Sequence, residues 1–290
     1  MGRPEYLLVL AEPDPVARAV GDRLAVGEAT GVVVDGAPIR SLSREVAVLR
    51  RAGLHIHDER LDELLPREWR ESQIPLVFPS VHRSERGDPA LTVHPLGNPG
   101  TSAEVGGRPN SLVPSPARLM VDGLRRLAEG AGTLGIPATY EATHHGPFLE
   151  LPAFFIEVGG GDPDRPTQSA TNLIADVVAS LRPDPSDTVV LGVGGGHYAP
   201  HFTDLALRRS LAFGHILPRH VLDDLAPGVA RDAWMLSGTP AAGVVYARAA
   251  DAQRPVASQW GRRFREADAP KRDRPAIPSE TDAGARSAGT

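Results

Sequence analysis

The sequence contains no cysteine. Disulfides and thiolate metal sites are therefore excluded, and any transition metal has to be held by histidine, aspartate or glutamate. A reducing compartment suits such a chain, and the cytoplasm is the expected location. Lysine is almost absent too: of 31 basic residues, only Lys271 is a lysine. Arginine grips phosphate in planar, two-pronged geometry, although genome composition alone also produces this bias. The net charge is −5, which argues against a surface coated with positive charge. An RNA ligand would need a local basic patch. Aromatic residues make up 5% of the chain, so the core has to be built mainly from aliphatic side chains. No apolar run reaches the roughly 18–20 residues that span a bilayer. The opening Met1-Gly2-Arg3-Pro4-Glu5 carries no leader-like apolar segment, and no membrane association is expected.

What is present is alternation. Tyr6 to Ala11 is a short apolar run of strand type, and Asp14-Pro15 follows as a helix cap with a first-turn proline. Val16, Val20 and Leu24 then repeat at helical spacing. Gly31 to Val34 before Asp35-Gly36 reads as a strand entering a hairpin. Leu54 to His57 and Leu76 to Phe78 are further strand candidates. Ser115-Pro116 opens a helix with Met120, Leu124 and Leu127 on one face, expected to stop near Gly130. Ala153 to Val158 reads as a buried strand, and Leu173, Ile174, Val177, Val178 and Leu181 form the stripe of the next helix. Thr188 to Val193 runs as a strand into Gly194-Gly195-Gly196-His197, and a helix is expected from about Thr203 to Phe213, closed by Gly214.

This pattern predicts an α/β fold, a mixed sheet covered by helices on both faces, forming one domain over residues 1–265. Residues 97–116 form a long loop rich in Gly, Pro, Asn and Ser, of the kind that often carries function. Residues 266–290 hold almost no large apolar side chain and are expected to be a disordered tail.

The histidines are the informative residues. His94, the adjacent pair His144 and His145, and His197 each precede a turn signal, and His94 and His197 follow apparent strands. Imidazole transfers protons near neutral pH and is the commonest metal ligand. A histidine at a strand end is more often a hydrogen-bonded structural residue. An adjacent pair in a strand points its rings to opposite faces, so at most one of the two would face a cleft unless the strand has ended. Glu157 stands in an otherwise apolar strand, where an unpaired charge is costly. Glu141 reads more readily as a solvated carboxylate. Gly194, Gly195 and Gly196 offer bare amides for an oxyanion or a nucleotide, or merely a tight crossover. Neither a dinucleotide fingerprint nor a Walker loop is complete there, and no Gly-x-Ser-x-Gly elbow occurs.

Several stretches together resemble the archaeal and plant D-aminoacyl-tRNA deacylases. They are Phe78-Pro79-Ser80-Val81-His82, Leu91 to Asn98, Glu141-Ala142-Thr143-His144-His145-Gly146-Pro147, Pro152 to Gly159, Gly194 to Pro200 with Phe202-Thr203, and Gly214 to Pro218. The resemblance implies a fold similar to peptidyl-tRNA hydrolase and the nucleoside phosphorylases. It also implies hydrolysis of D-aminoacyl-tRNA to free D-amino acid and tRNA, an association with zinc, and no obligate protein partner, the chain acting as a monomer. On this reading His94, His145 and His197 hold the metal or act as bases. His144, Glu141 and Glu157 assist catalysis, and His82, Asn98, Gly194, Gly195, Gly196, Tyr198 and Thr203 contact substrate. His55 and His220, outside the shared stretches, are expected to matter little. The family usually carries an arginine where this chain has Val81, which puts a local substrate contact in question. Rival readings are a nucleoside phosphorylase-like enzyme or zinc-dependent hydrolase on a similar scaffold, and a non-catalytic tRNA-binding module.

Overall fold

The computed structural model describes residues 3–82, 89–160, 168–238 and 240–272. The chain begins with β1 (Tyr6–Ala11), α1 (Pro15–Arg23), β2 (Ala29–Val34), β3 (Ala37–Ser41), β4 (Val46–Arg51), α2 (Arg67–Glu71) and β5 (Leu76–His82). It continues with β6 (Ala90–Pro95), the short pair β7 (Gly97–Asn98) and β8 (Ser111–Leu112), α3 (Ala117–Leu134), β9 (Ala138–Tyr140) and β10 (Ala153–Gly159). It ends with α4 (Gln168–Val178), β11 (Thr188–Val193), α5 (Pro200–Arg208), β12 (Leu211–Leu217), α6 (Pro227–Leu236) and β13 (Val244–Tyr246).

Eight strands form one mixed sheet in the order β2-β3-β4-β1-β5-β10-β6-β9. β1, β4, β5 and β10 run parallel, and β6 is antiparallel to β10. A second, parallel sheet has the order β12-β11-β13. One buried cluster joins the two, running from Leu8 and Val77 through Leu124 of α3 and Ile174 of α4 to Val190 and Phe213. The opposite face of the large sheet buries Leu7, Val9, Phe78 and Phe155 with Trp69 of α2. α6 covers the outer face of the small sheet. The protein is thus the mixed α/β structure that the alternation predicts. Among the described residues no helix is long and apolar enough to cross a membrane.

The cap at α1 forms as the sequence indicates: the Val16 and Ala17 amides donate to Asp14 Oδ1 at 2.8 and 2.9 Å. Three elements differ. Leu54 to His57 is no strand; His55–His57 form a 3₁₀ turn, because both sides of β1 are already taken by β4 and β5. α3 continues past Gly130 and closes at Gly135, which takes the left-handed conformation with φ 67°. The helix expected over residues 203–213 is instead the end of α5 followed by β12. Leu211, Ala212 and Phe213 satisfy a buried strand as well as a helix. Gly214 ends nothing; a Cβ there would lie 2.2 Å from the Ser237 carbonyl oxygen at the end of α6.

The expected domain boundary at residue 265 also falls inside packed chain. Residues 266–268 form a 3₁₀ turn, Ala269 is buried, and Lys271 bridges to Arg209. Arg209 Nη2 meets Glu266 Oε1 at 3.1 Å, and Arg272 Nη1 lies 3.6 Å from Asp187 Oδ1. Polar composition concealed a segment held by ion pairs. The rest of the expected tail, residues 273–290, lies outside the described residues. A chain ending at Arg265 should therefore melt at a lower temperature than one ending at Arg272. Equal thermal unfolding curves would show that this segment contributes nothing.

Candidate functional site

The register of β10 between β5 and β6 arranges side chains in rows across one face of the large sheet. Phe78, Phe155 and His94 are paired across the three strands. Ser80, Glu157 and Thr92 form the next row, and His82, Gly159 and Ala90 the third. Directly paired residues share a face, so an apolar row passes into a polar one within a single pleat. The His94 ring stacks on Phe155, centroids 5.1 Å apart and planes 8° apart. Opposite His82 only glycine fits, since a Cβ on Gly159 would lie 2.6 Å from the imidazole.

Loops bring the remaining groups. Glu141 directly follows β9, its amide bonded to the Val93 carbonyl at 3.0 Å. His197 follows the glycine turn after β11, and its carbonyl accepts the Ala142 amide at 2.8 Å. The His144–His145 pair lies beyond the strand that ended at Tyr140, and His145 has a positive φ of 41°. Both rings therefore enter one cluster, with centroids 4.4 Å apart, instead of pointing to opposite faces.

His94, His144, His145, His197, Glu141 and Glu157 thus meet, and His82 with them. His82 Nδ1 stands 3.3 Å from both Glu141 Oε1 and Glu157 Oε2, and its Nε2 is 3.0 Å from the Tyr198 hydroxyl. Glu141 Oε2 is 3.6 Å from His144 Nε2 and 3.5 Å from His197 Nε2. Among the described residues, three overlapping groups hold potential ligand atoms within 4.8 Å of one another. They are His94, His144 and His145; His82, Glu141 and His197; and His94, Glu141 and Glu157. The expected ligand trio His94, His145 and His197 is not among them. His144 takes the place of His197, because both rings of the pair turn inward.

This donor set suits a metal. The Nδ1 atoms of His94, His144 and His145 lie 3.2, 2.9 and 2.8 Å from the Pro95, Ala142 and Gly146 carbonyls. A carbonyl only accepts, so each ring donates through Nδ1–H and leaves its Nε2 lone pair free. His94 Nε2 and both Glu141 oxygens are buried without a hydrogen bond of normal geometry. An all-nitrogen and oxygen set with no thiolate is a common zinc environment.

Burial keeps three of the imidazoles neutral. Burial, reinforced by neighbouring rings, lowers His145 to about 3 and His197 to about 4, and holds His144 well below its ordinary value. His82 goes the other way: burial opposes its charge, but Glu157 and Glu141 outweigh burial and raise it. Burial alone would raise Glu157, yet His82 and His94 hold it below the carboxylate range. Glu141 is pushed up to about 7, chiefly by burial. It is no solvated carboxylate; its exposure is 0%.

Other residues expected to contact substrate also take part in the packing of the fold. Thr203 Oγ1 accepts the Tyr140 amide at 2.9 Å and donates to the Ala199 carbonyl at 3.0 Å, tying α5 to β9. It lines neither cavity beside the histidines. The Gly194 amide is taken by the Leu217 carbonyl at 2.8 Å, and a Cβ there would collide with Asp251. Gly194 thus allows a close crossover, and none of the three glycines lines either cavity. Asn98 lines one cavity while its amide holds the Gly106 carbonyl at 2.9 Å.

His55 and His220, expected to be remote, line the cavities beside the cluster. His55 Nε2 lies 3.0 Å from Ser80 Oγ, which donates to Asp14 Oδ2 at 2.9 Å. The helix cap Asp14 thereby also anchors β5 beside Glu157. Its sequence signal was the cap alone; nothing local announced the second role.

Two outcomes follow. His55→Ala should destabilise the fold by about 1–3 kcal/mol, the usual cost of stranding a buried polar partner; an unchanged urea midpoint would contradict this. Glu141 has a folded pKa above its unfolded value, so its ionisation costs stability progressively from about pH 4.5 to 7, and fully above. In metal-free protein Glu141→Gln should raise Tm at pH 8 and change it little at pH 4. A lower Tm at pH 8 would refute the assignment.

The sequence model of the D-aminoacyl-tRNA deacylase family matches residues 70–260. A D-aminoacyl-tRNA deacylase of Thermoplasma acidophilum is 38% identical over 153 residues, which is 52% of this chain and 59% of that protein. One of Pyrococcus abyssi is 35% identical over 198 residues, 66% of this chain and 71% of that protein. The chain thus spans about three fifths of the length of the Thermoplasma relatives it matches. A crystal structure of a conserved protein of unknown function superposes with a TM-score of 0.74, covering 89% of this chain and 92% of that one at 24% identity. That likeness establishes the shared fold. The chain belongs to the D-aminoacyl-tRNA deacylase family.

Proposed function

We propose that this protein hydrolyses the ester of D-aminoacyl-tRNA, releasing free D-amino acid and tRNA, with zinc as its metal. The observation that carries the reading is the trio His94, His144 and His145, each locked by a backbone carbonyl with its Nε2 lone pair free. That trio would hold one ion, and the group of His82, Glu141 and His197 offers a second set of ligands. Zinc bound there supplies polarisation of the ester carbonyl and a more acidic water. The preference for the D-enantiomer rests on family membership.

In the reaction, water adds to the aminoacyl carbonyl carbon and the bond from that carbon to the ribose oxygen breaks. One proton leaves the water and one reaches the departing ribose oxygen. Glu141, buried beside His82, His144 and His197, is placed to take up and give back a proton. His197, 49% exposed at the mouth of the cluster and 3.5 Å from Glu141, links that carboxyl to the substrate side. Glu157 and His82 hold the opposite wall as an ion pair. Action as a monomer is part of the same proposal, and a tRNA substrate fits a cytoplasmic setting.

Matched D- and L-aminoacyl-tRNA, incubated with and without chelator, test the reading. D-amino acid should be released much faster than L, chelation should stop release, and zinc should restore it. Equal rates on the two enantiomers would remove the stereospecific claim, and survival of both esters would remove the reaction. His144→Ala, His145→Ala and His197→Ala should each lower turnover by at least about a hundredfold. Zinc content should fall in the first two. Full activity with normal zinc content would place the chemistry elsewhere.

A further inference from the structure

Two cavities meet at the histidine cluster. One, of about 460 Å³, is lined by Asn98, Thr101, Ser102, His220 and Val221. The other, of about 410 Å³, is lined by Pro13, Leu54, Ile56, Val81 and Glu157. Each is of the size that holds a small ligand. His144, His145 and His197 line both, and so does one side chain from outside the cluster, Val105.

Val105 is 51% exposed, and its position is fixed by its backbone. Its carbonyl accepts the Gly146 amide, immediately after the histidine pair, at 3.3 Å. The next carbonyl, of Gly106, accepts the Asn98 side-chain amide at 2.9 Å. Gly106 itself has φ +77° and lies so close to Ile56 that a Cβ would stand 1.9 Å from the Ile56 carbonyl oxygen. The long loop is thus tied down at the Val105 carbonyl and at Gly106, and the Val105 side chain packs into no core cluster. It stands as a partition between the chambers.

An ester to be cut at the cluster has two unlike halves, an acyl group on one side and a ribose with its base on the other. The two chambers differ in the same way. Neither chamber holds an arginine or lysine; the smaller one combines the aliphatic side chains of Pro13, Pro15, Leu54, Ile56 and Val81 with the carboxylates of Asp14 and Glu157. Asp14 is saturated by the α1 amides, Ser80 and the Val81 amide. Glu157, paired with His82, is the remaining acid on that wall for an α-ammonium to approach, and the aliphatic side chains suit an apolar amino-acid side chain. The larger chamber presents hydroxyls, an amide and an imidazole, with Glu104 and Asp224, groups suited to ribose hydroxyls and base edges.

Resting on the deacylase reading, we propose that the chamber of Pro13, Leu54, Ile56 and Val81 receives the aminoacyl group, and that Val105 at its border limits the size of the amino-acid side chain. The terminal adenosine then occupies the other chamber.

The test compares kcat/KM for D-Ala-tRNA and D-Tyr-tRNA in the wild type and three variants. Val105→Phe narrows the border, Leu54→Trp fills the acyl chamber alone, and Val221→Trp fills the other chamber alone. Val105 and Leu54 are exposed and Val221 is half-buried, so folding should survive; near-wild-type Tm values check this. The first two variants should shift the ratio in favour of D-Ala by about tenfold or more, the scale of a steric change in a side-chain pocket. Val221→Trp should lower both values by the same factor. An active wild type whose ratio ignores Val105→Phe and Leu54→Trp would overturn this inference while leaving the deacylase reading intact. So would a ratio that shifts with Val221→Trp. A wild type inactive on both substrates would overturn the two together.

Discussion

Two carboxylates with almost no contact with water stand at the end of the sheet, and most of the architecture around them answers their cost. Glu157 occupies the middle strand of three, and Glu141 follows the edge strand β9. Removing an ion from water costs several kcal/mol even after relaxation, and close partners repay it only with good geometry. The partners here are imidazoles. His82 lies between both acids, 3.3 Å from each. The two acids resolve their repulsion by separating in character: Glu157 keeps its charge beside His82, while Glu141 retains a proton to near neutrality. Two environments thus turn one residue type into a fixed counter-charge and a proton carrier.

The support of this pair reaches outward through Asp14. One of its oxygens caps α1, and the other holds the Ser80 hydroxyl and the Val81 amide at the end of β5. Ser80 is paired with Glu157 across β5 and β10, and His55 closes the chain from below. The position of α1, the end of β5 and the row containing Glu157 are therefore coupled by four hydrogen bonds to one side chain. A residue whose local duty is to start a helix also keeps a catalytic strand in register.

The sequence made legible those features that rest on neighbours along the chain. The Asp14-Pro15 cap, the buried strands around Phe155 and Val190, and the stripe of α4 all follow from local pattern. The chemistry-bearing stretches were legible too, since His94, His144, His145 and His197 do converge with Glu141, Glu157 and His82. What escaped depends on contacts between distant segments. His55 carries no local sign of importance, and only the register of β5 places Ser80 above it. Thr203, singled out as a substrate contact, also ties α5 to β9, which its local sequence does not announce. Gly214 resembles a helix stop and is instead a point of close approach to α6. Whether His144 or His197 joins His94 and His145 depended on a backbone torsion at His145, which residue type does not dictate.

The locking of three imidazoles by their own neighbouring carbonyls bears on how the site reaches its working state. A histidine free to rotate would lose entropy on taking up a metal, and would first have to choose its tautomer. Here the carbonyls of Pro95, Ala142 and Gly146, each within two residues of its ring, make both choices during folding. The price is a cluster of unprotonated nitrogens and a buried Glu141 whose oxygens lack a hydrogen bond of normal geometry, each of which lowers the stability of the fold. Preorganisation and instability are thus the same structural fact. An ion that satisfies His94 Nε2 and Glu141 relieves that cost, so metal affinity and fold stability should be linked through these two residues.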